Sequence, residues 1–155
     1  PIERIELLQM KVLVPLDGSP MAEEALRAAD RLLRHEDGGV LHLHRVLKSP
    51  SGKVMSSTEI IATQEKELQS VTDYLQGVAA NLREKPYEIQ IHTSNGPDPA
   101  EAIAAKAEAL EADVIIMRSH GKTGLRHFLL GSTTYSLSRI SKVSVLIVKR
   151  DADRE

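Results

Sequence analysis

The run ADVIIMRS at residues 112–119, continued by HGKTG at 120–124 and LLGSTT at 129–134, is the clearest indication of the fold class of this chain. Residues 112–116 are apolar in a way that is typical of a strand buried inside a parallel sheet. Residues 134–140 have the pattern of a helix, so a glycine-bearing loop joins a strand to a helix. This order of strand, loop and helix predicts the repeating unit of a parallel α/β sheet.

The start of that helix is a candidate binding site for an anion. Backbone N–H groups at a helix start have no partner inside the helix, and the helix dipole favours negative charge there. The residues at this start are Gly131, Ser132 and Thr133. Gly121 and Gly131 would let a ligand approach the backbone without a Cβ in the way. We therefore predict a phosphate cradle for a nucleotide; the alternative is a plain connection that needs flexible residues.

A Walker A phosphate loop would also place a lysine and a threonine after a glycine, as Gly121, Lys122 and Thr123 are placed here. That loop requires another glycine five residues before Gly121. The sequence has Ile116 at that position, inside the predicted strand, so we exclude a Walker A loop.

Apolar strands and helices alternate along the chain. Further strands are predicted at residues 11–16, 40–46, 87–93 and 144–149, and further helices after Ser19, from Thr58 and after Asp98. The second helix has an apolar stripe formed by Leu68, Val71, Leu75, Val78 and Leu82. This alternation predicts a single doubly wound α/β domain over residues 10–150, with parallel strands and helices on both faces. Residues 1–9 would be an N-terminal arm and residues 151–155 a charged tail.

The composition excludes several classes of function. The net charge of −2 provides no basic surface for nucleic acid or an anionic membrane, and only 3% of the residues are aromatic. The chain has no cysteine, which excludes disulfides, thiol catalysis and zinc–thiolate sites and is compatible with a reducing cytoplasm. No apolar run reaches membrane-spanning length, and no signal peptide is recognised. We expect a cytoplasmic protein without a nucleic-acid or membrane partner.

Asp17 is a second candidate ligand-binding residue. It follows the first strand, and ligands of doubly wound sheets bind at the carboxyl ends of strands where the strand order reverses. Its carboxylate could accept a hydrogen bond from a ribose hydroxyl or an adenine amino group. The alternative is a turn residue beside Gly18, a common role for aspartate.

Three histidines are candidate metal ligands. His42 and His44 share one face of the second strand, and His92 would join them if the second and third strands were neighbours. No carboxylate lies at ligand spacing, so histidines packed under helices are the favoured interpretation. The sequence assembles no catalytic set, and we predict no catalytic residue and no metal ligand.

Taken together, these segments resemble the universal stress protein family. The resemblance covers nearly the whole chain and rests on VLVPLDGS at 12–19, HRV at 44–46, ADVII at 112–116, SHGKTG at 119–124, LGS at 130–132 and VSVLIVK at 143–149. It implies a five-stranded parallel sheet in the order 3-2-1-4-5. The ATP-binding branch of the family carries the pattern G-x2-G-x9-G-[ST].

This chain departs from that pattern at its first glycine, where it has Arg118. Gly121, Gly131 and Ser132 match the remaining positions. We expect binding to persist with Arg118 partly obstructing the site, since a side chain there brings strain or blocks the ribose. The alternative is that the Arg118 guanidinium pairs with a phosphate.

The resemblance also implies a ligand and the residues that hold it. The ligand would be ATP or AMP, with Mg²⁺ as a candidate companion of the phosphates. The adenosine would contact Pro15, Leu16, Asp17, Val46 and Met117, and the phosphates would contact Gly121, Lys122, Gly131, Ser132 and Thr133.

Three functions are compatible with this resemblance. The first is a stress-response regulator that binds an adenine nucleotide, and the second is a dimeric protein-interaction module in which Arg118 has abolished binding. The third is a slow ATPase. We also expect a homodimer formed through the fifth strand, because that strand is apolar and would lie at the sheet edge. The protein partner and the stress are not identified by the sequence.

Overall fold

The computed structural model describes residues 9–35, 38–47, 54–119 and 130–149. Its strands are β1 (Lys11–Pro15), β2 (Val40–Leu47), β3 (Glu88–Asn95), β4 (Val114–Arg118) and β5 (Ser144–Val148). Its helices are α1 (Pro20–Leu33), α2 (Ser57–Asn81), α3 (Pro99–Ala109) and α4 (Ser132–Ile140). Strands and helices alternate in the described chain, as the sequence predicted.

The strands form one parallel sheet in the order β3-β2-β1-β4-β5. This confirms the α/β class and the strand order implied by the family resemblance. In the centre of the sheet, Leu13 of β1 lies opposite His42 of β2 and Ile115 of β4. The chain grows from β1 towards β3 on one side and continues with β4 on the other. The strand order therefore reverses between β1 and β4, where doubly wound sheets bind their ligands.

Side chains that alternate along the strands build a core on each face of the sheet. On one face, Val12, Val14 and Ile116 pack with buried residues of α1 and α2. On the other face, Leu13 and Ile115 pack with buried residues of α3 and α4. Helices therefore cover both faces, which explains the continuous apolar runs at residues 12–14 in β1 and 114–117 in β4.

The helix starts follow from local hydrogen bonds. Ser19 accepts a hydrogen bond from the backbone N–H of Ala22 at 3.2 Å, and Asp98 accepts one from Ala100 at 2.8 Å. In both helices proline occupies the first turn, where its missing N–H costs nothing. α2 begins one residue earlier than the predicted Thr58, because Ser56 and Glu59 form a complete capping box.

One position of the predicted apolar stripe of α2 is wrong. Val71, Leu75 and Val78 are buried, but Leu68 is 43% exposed. The reason is length: the 25 residues of α2 span about 37 Å at a rise of ~1.5 Å per residue, whereas the eight residues of β3 span about 26 Å. The N-terminal turns of α2 therefore extend beyond the sheet that buries its C-terminal half.

β4 lies two residues later than predicted. We expected the strand at residues 112–116, but pairing with β5 continues to Arg118, which lies opposite Val148. Met117 and Arg118 are thus strand residues and not the beginning of the loop. None of the helices in the described ranges is long and apolar enough to cross a membrane.

Candidate functional site: a cleft at the ends of β1 and β4

A cleft of about 810 Å³ lies at the carboxyl ends of the central strands. Nine of the predicted site residues line it: Pro15, Leu16, Asp17, Val46, Met117, Arg118, Gly131, Ser132 and Thr133. They come from the ends of β1, β2 and β4 and from the start of α4. The other two predicted site residues, Gly121 and Lys122, lie outside the described residues. The structure thus brings the nine described residues of the predicted site to one cleft.

Asp17 shapes the turn at the mouth of the cleft. Its Oδ1 accepts a hydrogen bond from the backbone N–H of Ser19 at 2.8 Å, the arrangement of an aspartate turn. Gly18 has a φ of +84°, and a Cβ at that position would lie 2.8 Å from Nη1 of Arg45. The turn role proposed as the alternative for Asp17 is therefore present, and the exposed carboxylate stands beside the cleft as well.

The start of α4 forms another wall. Its N-cap is Gly131, which has no side chain to cap the first N–H groups of the helix. The Oγ1 of Thr134 lies 3.4 Å from the carbonyl oxygen of Arg118, to which it donates a hydrogen bond. This bond joins the first turn of α4 to the last residue of β4. The uncapped helix start is therefore held at the point where β4 ends.

Arg118 is buried and forms an ion pair. Its Nε lies 3.0 Å from Oε2 of Glu24 on α1, and its side chain is only 5% exposed. Within the part of the chain that the structure describes, neither Nε nor Nη1 has a hydrogen-bond partner, so the contact with Glu24 is one of charge. The guanidinium is therefore a buried cation with unused donors at the lining of the cleft.

Arg45 is a polar residue of the cleft that the sequence analysis did not single out. It lies at the end of β2, with its guanidinium carbon 5.2 Å from the ring centroid of Tyr74 on α2. The Tyr74 hydroxyl donates a hydrogen bond to Glu23 at 3.0 Å, and burial together with Glu23 raises the pKa of Tyr74. A charged residue near the end of a predicted strand was the available signal for Arg45.

The three strand histidines lie together on β2 and β3. Nδ1 of His42 is 3.0 Å from Nε2 of His92, and Nε2 of His44 is 2.8 Å from Oγ of Ser94. Burial lowers the pKa of both His42 and His44 to about 4, and positive charge nearby, including Lys106 for His44, acts in the same direction. Among the described residues no cluster of three or more ligating side chains could hold a metal ion. His42 and His44 are buried, as histidines packed beneath helices would be.

The chain is similar to curated proteins over almost its whole length. It is 31% identical to the universal stress protein YxiE of Bacillus subtilis, with 90% of this chain and 98% of the relative covered. It is 32% identical to the universal stress protein MJ0531 of Methanocaldococcus jannaschii, with 94% and 85% covered.

Solved structures show the same fold. The structure of MJ0577 superposes with a TM-score of 0.68 at 28% identity, covering 90% of this chain and 95% of that one. A universal stress protein in complex with cAMP has a TM-score of 0.59 at 21% identity, with 91% and 97% covered. An Arabidopsis thaliana family protein with AMP bound has a TM-score of 0.66 at 16% identity, with 93% and 94% covered.

The family model described as the universal stress protein family matches residues 10–149. These residues include all five strands and all four helices of the described chain. The match, the two relatives above 30% identity and the shared fold agree with one another. The chain belongs to the universal stress protein family.

Proposed function

We propose that this protein binds an adenine nucleotide, ATP or AMP, in the cleft at the carboxyl ends of β1 and β4 and acts as a stress-response regulator. The observation that carries the proposal is the meeting of Asp17, Val46 and the uncapped start of α4 around one cleft. Its volume of about 810 Å³ falls in the range of roughly 300–1,000 Å³ that is usual for small-molecule sites. The cytoplasmic location expected from the sequence is part of this proposal.

The walls of the cleft differ in polarity, as the apolar base and the charged phosphate of a nucleotide require. Pro15, Leu16, Val46 and Met117 offer apolar surface for a base, and Asp17 offers a carboxylate for hydroxyl or amino groups. The start of α4 lines the cleft as well, and there the unpartnered N–H groups and the helix dipole favour a phosphate. Gly121 and Lys122 extend the proposed phosphate site on the strength of the sequence pattern alone. The proposal assigns no catalytic residue, and Mg²⁺ would enter only with the phosphates of ATP.

Two family structures support adenine nucleotides as the ligand class. One was solved with cAMP and one with AMP bound, and both share the fold of this chain. Each of these ligands joins an adenosine to a phosphate. In the proposed site, the apolar wall would contact the adenosine and the start of α4 would contact the phosphate. The proposal extends this ligand class to the present chain.

Mass spectrometry of small molecules released by denaturing the purified protein tests the proposal most directly. We expect ATP or AMP in the released fraction. Calorimetry of ligand-free protein with ATP, AMP and GTP then measures whether the site prefers adenine. Absence of any released nucleotide, together with no heat of binding for ATP or AMP, would reject the proposed function.

A homodimer through β5 is the second part of the proposal. β5 lies at the edge of the sheet, and its Leu146 is 42% exposed while Val145 and Ile147 are half-buried. An apolar edge strand promotes association unless it is paired or covered. A second copy related by a two-fold axis would pair the two β5 strands and close the assembly. Such a dimer would present a surface to a protein partner of unknown identity.

A further inference from the structure

We propose that Arg118 makes the cleft selective for ligands that carry a phosphate, with Nη1 donating a hydrogen bond to a phosphate oxygen. This inference rests on the proposed function, because it assigns the ligand class of the same site. It concerns the position at which this chain departs from the glycine pattern of its family. The sequence left two roles open for Arg118, obstruction of the site and pairing with a phosphate. The structure favours pairing with a phosphate.

The first step is the direction that the strand gives to Arg118. β4 continues through this residue, and successive side chains of a strand point to opposite faces. Met117 packs with the core beneath α3 and α4, and Ile116 packs with the core beneath α1. Arg118 therefore leaves the sheet on the α1 side, where its Nε meets Glu24. The ion pair with Glu24 holds the side chain on this side of the sheet.

The second step is the state of the guanidinium. Arginine stays protonated in proteins and carries five N–H donors. Glu24 compensates its charge only in part, because the Glu24 side chain is 40% exposed and shares its carboxylate with solvent. Nη1 is fully buried and has no hydrogen-bond partner among the described residues. A buried donor in this state requires an ion, a water or a ligand to satisfy it.

The third step is the position of this donor relative to α4. Arg118 lines the cleft, and its carbonyl oxygen accepts the hydrogen bond of Thr134 in the first turn of α4. Ser132 and Thr133, whose N–H groups begin that helix, line the same cleft. A buried guanidinium and an uncapped helix start therefore belong to the lining of one cleft. Both favour an oxyanion with several acceptor atoms, and a phosphate provides three.

Calorimetry with three probes tests the inference: adenosine, AMP and inorganic tripolyphosphate. In the parent protein we expect AMP to bind at least about tenfold more tightly than adenosine, as expected for one charge-assisted hydrogen bond. Arg118→Gln should weaken AMP and tripolyphosphate by roughly ten- to hundredfold and leave adenosine within about twofold. Arg118→Lys keeps the charge without the planar fork and should give an intermediate loss.

Arg27→Gln is the matched control. Arg27 is an exposed residue of α1 that does not line the cleft, so its replacement changes the net charge equally without touching the site. We expect this variant to bind all three probes as the parent does. Circular dichroism and thermal melting check the fold of each variant. If Arg118→Gln does not fold, the AMP and adenosine affinities of Arg118→Lys test the inference in its place.

Three results would overturn the inference. The first is an equal loss of adenosine and AMP affinity in Arg118→Gln, which would indicate a structural role, and the second is no change in either affinity. The third is tighter AMP binding, which would indicate obstruction. If the parent binds no adenine nucleotide, the proposed function fails. The binding of tripolyphosphate then still tests whether Arg118 belongs to an anion site. Its loss in Arg118→Gln supports an anion site at Arg118, and its failure to bind the parent rejects one.

Discussion

Nδ1 of His42 lies 3.0 Å from Nε2 of His92, so the two rings are joined by a hydrogen bond across the β2–β3 pair. One ring nitrogen must donate and the other must accept, which requires at least one of the imidazoles to be neutral. His44 is fully buried on the same face of β2, beside Ser94. This histidine group is therefore compatible with the fold only while it carries little charge.

We expect the stability of the fold to decrease on acidification between pH 6.5 and 4. Burial lowers the pKa of His42 and His44 from 6.5 to about 4, so in this range the unfolded chain binds more protons than the folded one. The stability gained by keeping His42 and His44 neutral is fully present above pH 6.5 and is lost as the pH falls towards 4. Each unit of separation between the folded and unfolded pKa corresponds to about 1.4 kcal/mol. Thermal melting from pH 7.5 to 4.5 measures it.

His35→Gln provides the control for this pH dependence. His35 is exposed on the turn after α1, so its replacement should leave the slope unchanged. His44→Gln and His42→Gln should each flatten the slope. A melting temperature that stays level from pH 7.5 to 5 in the parent would contradict the predicted role of the histidines.

Gly131→Val should abolish nucleotide binding. The N-cap of α4 lines the cleft, and a branched side chain there would occupy the space assigned to the phosphates. Calorimetry with ATP measures the loss, which we expect to exceed about a hundredfold, as for several lost charge-assisted hydrogen bonds. Gly77→Val adds the same side chain on α2, where a Cβ would meet nothing within 4 Å, and should bind ATP normally. Normal binding by Gly131→Val would show that the phosphates lie elsewhere.

Tyr87→Phe should destabilise the fold by about 1.5 kcal/mol. The Tyr87 hydroxyl donates a buried hydrogen bond of 3.0 Å to Oδ1 of Asp30. Arg34 and Lys85 also pair with Asp30, so the carboxylate keeps two partners and the loss stays at the low end for a charged acceptor. Urea unfolding gives the difference in the free energy of unfolding. Tyr135→Phe, at a tyrosine that is 51% exposed, should be neutral, and equal effects of the two changes would contradict the assignment.

Leu146→Lys should convert the proposed dimer into a monomer. A lysine on an edge strand opposes pairing with a second edge, and Leu146 is sufficiently exposed to be replaced without opening the core. Sedimentation at tens of micromolar measures the association state, since ordinary specific interfaces are populated there. Leu68→Lys changes a leucine of equal exposure on α2 and should leave the dimer intact. A monomeric parent at this concentration would reject the dimer itself.

The order of elements could be predicted because it depends on local patterns. Apolar runs identified the strands, and Ser19 and Asp98 identified two helix starts through their caps. What local patterns do not reveal is how far each element continues once its neighbours are in place. β4 extends to Arg118 because β5 lies beside it to Val148, and Leu68 is exposed because the sheet ends beneath α2.

The sequence predicted which residues gather at one cleft, but not the side chains with which they pair. The predicted residues of the described chain meet at one cleft because the switch between β1 and β4 brings the strand ends together. The pairing of Arg118 with Glu24 and of Arg45 with Tyr74 joins residues that are distant in the sequence. Each pair depends on the packing of a helix against the sheet, which no motif encodes.

Because the N-terminal turns of α2 extend beyond the sheet, the two halves of this helix differ in how easily they unfold locally. Its C-terminal half is anchored by Val71, Leu75 and Val78 and can exchange its amide hydrogens only when the domain opens. Its N-terminal turns depend on local interactions such as the Ser56–Glu59 capping box, and they can unwind while the sheet remains intact. Glu67 lies near the boundary between these halves and lines the cleft. Hydrogen exchange along α2 would therefore report, from outside the core, whether the cleft is occupied.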